Sequence, residues 1–199
     1  LQYGFTNVKD TVLRNPSKLL LEQKEWVKSE YGAPGITLST PIVLERQTVK
    51  LSNKTSDSIR VVSFAYAGKD TPIDVFVSSS KYASQTGQGD KEKEVPIDVL
   101  GSSEAVLDRF EKEGAKNIIS RNEQFITPNG QEGIKTFGAA EFIIGDTLTK
   151  GAYVVLGFST PNLLQQVVLI WKEDDIYADQ IVDRILQSIE LITLTEEQK

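Results

Sequence analysis

The feature that most constrains this chain lies near its C-terminus, where two continuous apolar runs occur close together. Tyr153–Phe158 and Val167–Trp171 are apolar at almost every position, and Pro161-Asn162 between them is typical of a turn. We therefore predict two paired antiparallel strands. Because neither run alternates polar with apolar residues, both faces of each strand need cover, which places the pair in the middle of a sheet.

The next segment predicts a helix that covers one face of this sheet. Glu173, Asp174 and Asp175 are residue types that favour a helix N-terminus. The apolar residues that follow recur at helical spacing and are Ala178, Ile181, Val182, Ile185, Leu186 and Ile189. This stripe is expected to pack on the two apolar strands.

The first half of the chain predicts one helix and several strands. Apolar residues recur at intervals of three and four from about Ser17 to Glu30, which predicts a helix. Tyr82–Val95 is the longest polar tract and predicts a surface loop. The runs that predict strands are Ile36–Ser39, Ile59–Tyr66 and Ile73–Val77.

The middle of the chain predicts a further helix and a hairpin. Ser102 and Ser103 can cap a helix whose apolar face consists of Val106, Leu107 and Phe110. Asn129-Gly130 fits a type I′ turn between strands at Ile118–Ile126 and Ile134–Phe142. Gly138, inside the second of these strands, indicates a bulge or close packing.

Hairpin connections dominate this order of elements, so the sheet is predicted to be mainly antiparallel. Because the C-terminal strands are apolar on both faces, helices are expected on both sides of the sheet. The predicted fold class is therefore α+β, with the layers of an α/β/α sandwich. We predict a helical extension over residues 1–32 and a single sandwich domain over residues 33–199.

The amino-acid composition limits the partners and the chemical reactions that are expected for this protein. The formal net charge is −6, which argues against nucleic acid as a partner because such proteins carry a basic face. Histidine and cysteine are both absent, which removes the commonest general base, the commonest metal ligand and thiolate chemistry. We expect no cofactor and no metal. Methionine is also absent, which predicts that Leu1 is not a natural start and that the chain is either processed or trimmed. The sequence leaves open a signal peptide or a membrane anchor upstream of Leu1.

Two groups of residues could support hydrolysis. Ser78 and Lys81 have Ser-x-x-Lys spacing, which on a helix would bring the hydroxyl beside the amine. The chain has no Ser-Asp-Asn sequence, which serine hydrolases with this motif also need, so a polar strand end is the favoured interpretation. Glu173, Asp174 and Asp175 could serve acid–base catalysis. Their position before a helix favours capping instead.

The tryptophans are the candidates for recognition. Trp26 and Trp171 each lie within an apolar pattern, so packing in the core is the default interpretation. Trp26 lies on the predicted N-terminal helix, outside the predicted sandwich. It is therefore the candidate residue for binding a partner, because tryptophan is enriched among residues that anchor interfaces.

Two stretches resemble the PsbP-like superfamily. Gly35–Pro41 is similar to the opening strand of that family, which ends in proline, and Gly133–Ile192 follows its succession of strands and a final helix. The resemblance implies an α/β/α sandwich and a non-catalytic binding or assembly domain, often outside the cytoplasm in bacteria. No functional residue of the family can be matched in this sequence.

The leading hypothesis is a non-catalytic binding or scaffold domain of a bacterial cell-envelope protein, extracytoplasmic and with a protein partner. One alternative is a domain that holds a lipid or small apolar ligand between the sheet and a helix, with Tyr82–Val95 as its lid. The other alternative is a hydrolase that uses carboxylates or the Ser78–Lys81 pair.

Overall fold

The structure of the protein, a computed structural model, describes residues 15–32, 34–50, 58–68, 70–86, 92–144 and 147–192. Within these ranges the helices are α1 (Pro16–Leu21), α2 (Val99–Lys112) and α3 (Ile176–Gln187). The strands over the same ranges are β1 (Val27–Gly32), β2 (Gly35–Thr40), β3 (Glu45–Gln47), β4 (Ile59–Tyr66), β5 (Ile73–Tyr82), β6 (Gln85–Thr86), β7 (Glu92–Lys93), β8 (Lys116–Ile126), β9 (Glu132–Ile144), β10 (Thr147–Thr160), β11 (Leu163–Lys172) and β12 (Glu190–Leu191).

Most strands belong to one large sheet, and three belong to a small one. The large sheet has seven strands in the order β3-β4-β5-β11-β10-β9-β8, and the small sheet has the order β1-β2-β12. The strand pairs of both sheets are antiparallel. The predicted antiparallel character of the sheet is therefore confirmed.

The two apolar C-terminal runs form β10 and β11, which pair in the middle of the large sheet as predicted. Val154 and Leu156 of β10 belong to a core shared with α3 and the small sheet, whereas Tyr153 and Val155 belong to a second core beneath α2. None of these four side chains is more than 3% exposed. Continuous apolar sequence thus corresponds to a strand buried on both faces.

The predicted α/β/α sandwich is wrong, because strands rather than helices make up most of the layers. The three helices of the described ranges are short, with 6, 14 and 12 residues. One face of the large sheet is covered by α1, α3 and the small sheet, and the other face is covered by α2. The small sheet occupies the position that a helical layer would hold in a sandwich.

The predicted helix from Ser17 to Glu30 is also wrong. Asn15 caps α1, since its Oδ1 atom accepts a hydrogen bond from the Ser17 amide at 2.8 Å, but α1 ends at Leu21. Val27–Gly32 instead pairs with Gly35–Thr40 as an antiparallel hairpin. Short amphipathic segments are decided by tertiary pairing rather than by local spacing. Residues 1–14 of the predicted extension lie outside the described residues.

The final helix is confirmed and the middle helix is shifted. Asp175 caps α3, because its Oδ1 atom accepts from the Tyr177 and Ala178 amides, both at 3.1 Å. The α2 helix begins at Val99 with Asp98 as its cap, earlier than the predicted caps at Ser102-Ser103. A carboxylate at the N-cap satisfies free backbone amides in both helices.

The predicted hairpin between β8 and β9 is confirmed, but its turn differs from the prediction. The Thr127 amide donates to the Gln131 carbonyl at 2.9 Å, which closes a loop longer than two residues. Gly130 has a φ of 81°, whereas Asn129 is not among the described residues with positive φ. A type I′ turn needs positive φ at both central residues, so it is not formed here.

The elements that pack on the two faces of the large sheet lie towards opposite edges of that sheet. The α2 helix packs on β8, β9 and β10, and the apolar side chains beneath it extend only as far as β11. The α3 helix packs on β11, and the small sheet packs on β4 and β5. Among the described helices, none lies above β3, β4 and β5 on the α2 face.

Candidate functional site

A cleft of about 760 Å³ lies over this uncovered region of the large sheet. Its floor is formed by Ser63 and Ala65 of β4 and Phe76 of β5, and Arg109 of α2 contributes one side. The opposite wall is the segment around β3, which supplies Ile42, Val43, Glu45, Gln47, Thr48, Val49 and Lys50. Ligand sites in proteins commonly have volumes of roughly 300–1,000 Å³.

Strand register explains why these side chains meet. Glu45 lies opposite Ala65 and Gln47 lies opposite Ser63, so all four point to the same face of the sheet. Ala65 in turn lies opposite Phe76 on the next strand. The cleft floor is thus the set of alternate residues that β3, β4 and β5 direct away from the small sheet.

The lining combines apolar and polar side chains. Val43, Val49 and Ile42 remain 51%, 38% and 36% exposed, which is unusual for three large apolar residues in one short segment. Polar groups lie among them, including charges of both signs at Glu45 and Lys50. A ligand that fits this lining presents both apolar and polar groups.

One titratable residue of the cleft, Tyr66, has a shifted pKa, and so does Asp74 on the neighbouring strand β5. Tyr66 lines the cleft, and burial, followed by the nearby charge of Asp74, raises the pKa of its hydroxyl above 10.0. The phenol therefore stays protonated and can donate a hydrogen bond at neutral pH. Burial also raises the pKa of the Asp74 carboxyl, against the lowering effect of hydrogen bonds from Thr71 and Gly68.

Asp74→Asn is expected to flatten the dependence of stability on pH. The pKa of Asp74 is raised above 3.8 in the folded protein, so the folded state binds this proton more tightly than the unfolded state. The free energy of unfolding therefore falls as pH rises from about 3.8 through the folded pKa. Asparagine removes this loss and can still accept from the Thr71 hydroxyl, which lies 2.6 Å from Asp74 Oδ1.

Denaturant unfolding of both proteins from roughly pH 3 to 7 measures this difference. The stability of the variant relative to the wild type should increase through the acidic range and then stay constant. A relative stability that decreases with pH would mean that the Asp74 carboxylate is favoured, not disfavoured, by its surroundings.

The candidate catalytic pair is not brought together. Ser78 and Lys81 lie three residues apart on β5, and side chains at odd separation point to opposite faces of a strand. Ser78 faces Gln166 and Ser63 on the neighbouring strands, whereas Lys81 is exposed. The helical geometry that would activate the hydroxyl is absent.

The acidic cluster before α3 is engaged in structural contacts. Asp175 is the N-cap of the helix and also accepts a hydrogen bond from the Ser17 hydroxyl of α1. Asp174 lies 3.5 Å from the Lys172 amine, and Glu173 is exposed. Capping, the favoured interpretation of this cluster, is confirmed for Asp175.

The tryptophans contact the core that α3 shares with the small sheet. Trp26 is partly buried against it, and the Arg184 guanidinium lies 3.9 Å from the centre of the indole ring. Trp171 donates from Nε1 to Asp179 Oδ1 at 2.6 Å. The partner-binding role of Trp26 stays a prediction, and its contacts are those of a packed residue.

The polar tract Tyr82–Val95 does not supply a lid to this cleft in its described part. Its first residue ends β5, six residues beyond Phe76, and none of its described residues lines the cleft. Gln85–Thr86 pairs with Glu92–Lys93. Residues 87–91 lie outside the described ones.

No cleft residue is predicted from the sequence to be a functional residue. The one local signal is the segment after Pro41, where the apolar run Ile42–Leu44 is separated from Val49 by polar residues, without a helical or strand period. Such a segment fits an irregular stretch on the protein surface. Its position over the sheet, however, depends on elements that are distant in the sequence.

Among the residues that the structure describes, no helix combines the length and apolar character needed to cross a bilayer. The same residues contain no cluster of three or more side chains suited to holding a metal ion. In comparisons with known proteins, no family model matches this chain, and no curated protein matches it. The resemblance to the PsbP-like superfamily therefore stays a prediction.

Proposed function

We propose that this protein is a non-catalytic binding domain that holds an extended segment of a partner protein in the cleft beside β3. The observation that carries the proposal is the coincidence of a free sheet edge with a cleft lined by exposed apolar side chains. Of the strands that the structure describes, β3 is the terminal one of the large sheet, and none of them pairs with its outer edge. β3 also forms one wall of that cleft.

A free edge offers backbone hydrogen bonds to an incoming strand. β3 pairs with β4 on one side through Glu45, Arg46 and Gln47, and all three residues are exposed. A peptide that adds to such an edge gains affinity from its main chain, and pockets for alternate side chains give specificity. The exposed apolar residues Ile42, Val43 and Val49 and the floor at Phe76 provide such pockets.

The charges of the cleft indicate the kind of segment that fits. Lys50 and Arg109 can meet acidic side chains, and Glu45 can meet a basic one. Arg109 also lies 2.8 Å from Glu113, so it is partly neutralised before binding. A segment that alternates apolar residues with charges of both signs is therefore favoured over a uniformly acidic or basic one.

A lipid fits this cleft less well than a peptide. Burying polar groups such as Gln47, Lys50 and Ser63 against a purely apolar ligand would leave them without hydrogen-bond partners, which costs free energy. A hydrolase is disfavoured because Ser78 and Lys81 lie on opposite faces of β5. The extracytoplasmic, envelope-bound location expected from the sequence remains part of the proposal.

Val43→Asp is expected to weaken binding of a cleft peptide by about tenfold or more, because it places a charge where an apolar contact is lost. The probe is a peptide selected with the purified protein from a random library displayed on phage, then synthesised with a fluorophore. Fluorescence anisotropy gives its dissociation constant for each protein variant.

Leu19→Asp is the matched control, because Leu19 is also 51% exposed but lies on α1, away from the cleft. This variant should bind the peptide as the wild type does. Selection that yields no binding peptide, or peptides that bind the Val43 variant with unchanged affinity, would remove the cleft as the binding site.

A further inference from the structure

The other edge of the large sheet differs from β3 in length and regularity. β8 is the terminal strand on that side and has 11 residues, compared with 3 in β3. Its ladder with β9 has one irregularity, between Lys116 and Ile119, and continues without interruption from Ile119 to Ile126. Nine of its eleven residues are exposed and the other two are half-buried.

Long edge strands usually carry features that prevent pairing with another chain, such as prolines, bulges, very short length or charged side chains. The charges between Ile119 and Ile126 are Arg121 and Glu123, which have opposite signs. The stretch from Ile119 to Ile126 contains no proline and no bulge. It also exposes large apolar side chains, with Ile119 at 66% and Ile126 at 59%. With respect to the residues that the structure describes, this edge is therefore open to a further strand.

The order of residues along β8 is complementary to itself when read in the antiparallel direction. We propose that two copies of this chain associate through β8, antiparallel about a two-fold axis at Asn122. In this register the pairs between copies are Arg121 with Glu123, Ser120 with Gln124, Ile119 with Phe125 and Ile118 with Ile126. Each charged residue meets its opposite, and each apolar residue meets an apolar one.

The charged pair supports this register. Arg121 of one copy lies directly opposite Glu123 of the other, and the symmetry repeats the pair. Glu123 already receives the Lys135 amine at 2.8 Å from β9, so its carboxylate would lie between two cations. Opposite charges facing each other across strands stabilise a pair, and like charges destabilise it.

The centre of the register is held in place within each copy. The buried Thr136 donates from its hydroxyl to Asn122 Oδ1 at 2.8 Å, which fixes the amide of Asn122. The amide nitrogen of Asn122 is then directed by this contact towards other acceptors. At a two-fold axis, the residue that meets it is Asn122 of the second copy.

The proposal does not depend on the cleft, because the cleft borders β3 at the opposite edge of the sheet. A dimer through β8 would leave both clefts open and would join two large sheets into one. Each dimer would then present two copies of the partner site, which raises the avidity for a partner with repeated segments.

Charge reversal tests the register directly. Arg121→Glu and Glu123→Arg each place like charges opposite each other twice, so each is expected to raise the dimer dissociation constant by about tenfold or more. An equimolar mixture of the two variants should form heterodimers, because each Glu of one variant then faces an Arg of the other. Sedimentation velocity over a concentration series measures all three samples and the wild type.

A cysteine at the axis gives a second measurement that does not depend on ion pairs. The chain contains no cysteine, so Asn122→Cys introduces the only thiol. Directly opposed residues have α-carbons about 4.5–5.5 Å apart, which permits a disulfide between copies. Ser120→Cys is the control, because its two thiols would lie four residues apart along the strands, or about 14 Å.

Under mild oxidation the Asn122 variant should become a covalent dimer, and the Ser120 variant should stay monomeric. A wild-type protein that remains monomeric at its highest soluble concentration would overturn the proposal. So would a dimer that both charge reversals leave unchanged, or one in which Ser120→Cys cross-links as efficiently as Asn122→Cys.

Discussion

Ile181→Ala is expected to lower the free energy of unfolding by about 3 kcal/mol, since truncating a fully buried isoleucine removes apolar contacts and leaves a cavity. Ile181 lies on α3, is 0% exposed, and packs in the core that α3 shares with β10, β11 and the small sheet. Alanine has the higher helix propensity, so the loss cannot come from the helix itself.

Ile176→Ala on the same helix is the matched control. Ile176 is 62% exposed, so its truncation should change the free energy of unfolding by less than about 0.5 kcal/mol. Urea unfolding of the two variants and the wild type, with equal m-values, gives the comparison. Equal effects at the two positions would show that α3 does not seal the central strands.

The burial of the C-terminal strands could be predicted because the residues of each strand are enough to indicate it. Tyr153–Phe158 and Val167–Trp171 lack polar positions, and only a strand covered on both faces tolerates this pattern. The stripe on α3 is equally local, since its period is that of one helix. Such elements need no information about the rest of the chain.

The sequence does not predict in the same way whether the layer that packs on these C-terminal strands consists of helices or of a second sheet. Val27–Gly32 is six residues long, and its apolar and polar residues fit the end of a helix or a half-buried strand. Pairing with β2 decides the outcome, and β2 is the central strand of the small sheet, where it also pairs with β12. The local sequence pattern alone therefore predicts a helical layer at the place where the protein has a second sheet.

The candidate cleft was missed for a related reason. It exists because α2 covers β8 to β10, and no other helix of the described ranges lies above β3 to β5 on that face. The position of α2 across the sheet depends on the packing of Phe110 against Phe142 and Tyr153, residues distant in sequence. Sequence patterns describe which face of a helix is apolar, but not which strands that face will cover.

Gly138 is the position where a local prediction identified a long-range constraint. The predicted close packing is confirmed, because a β-carbon at Gly138 of β9 would overlap the Ile119 carbonyl oxygen of β8. That oxygen also accepts a hydrogen bond from the Tyr153 hydroxyl of β10 at 2.9 Å. Three neighbouring strands thus meet at a point that has no room for a side chain.

Gly138→Ala is therefore expected to lower the free energy of unfolding by about 2–3 kcal/mol. The obstructing atom belongs to the backbone, so no side-chain rotation can make room. β8 has to move outward, which breaks the hydrogen bond of Tyr153, a residue that is 1% exposed. The loss should exceed the gain of up to about 1 kcal/mol that alanine gives by restricting the unfolded chain.

Gly68→Ala is the control, because a β-carbon there would meet Thr71 Cγ2 at 3.6 Å, an ordinary contact. Its stability should stay within about 0.5 kcal/mol of the wild type. Tyr153→Phe separates the lost hydrogen bond from the steric overlap, and should cost about 1 kcal/mol. Hydrogen exchange adds a spatial readout, since faster exchange should concentrate in β8 and β9. A Gly138 variant as stable as the Gly68 variant would mean that β8 is free to move away from β9, and an edge that loose could not hold the register proposed for the dimer.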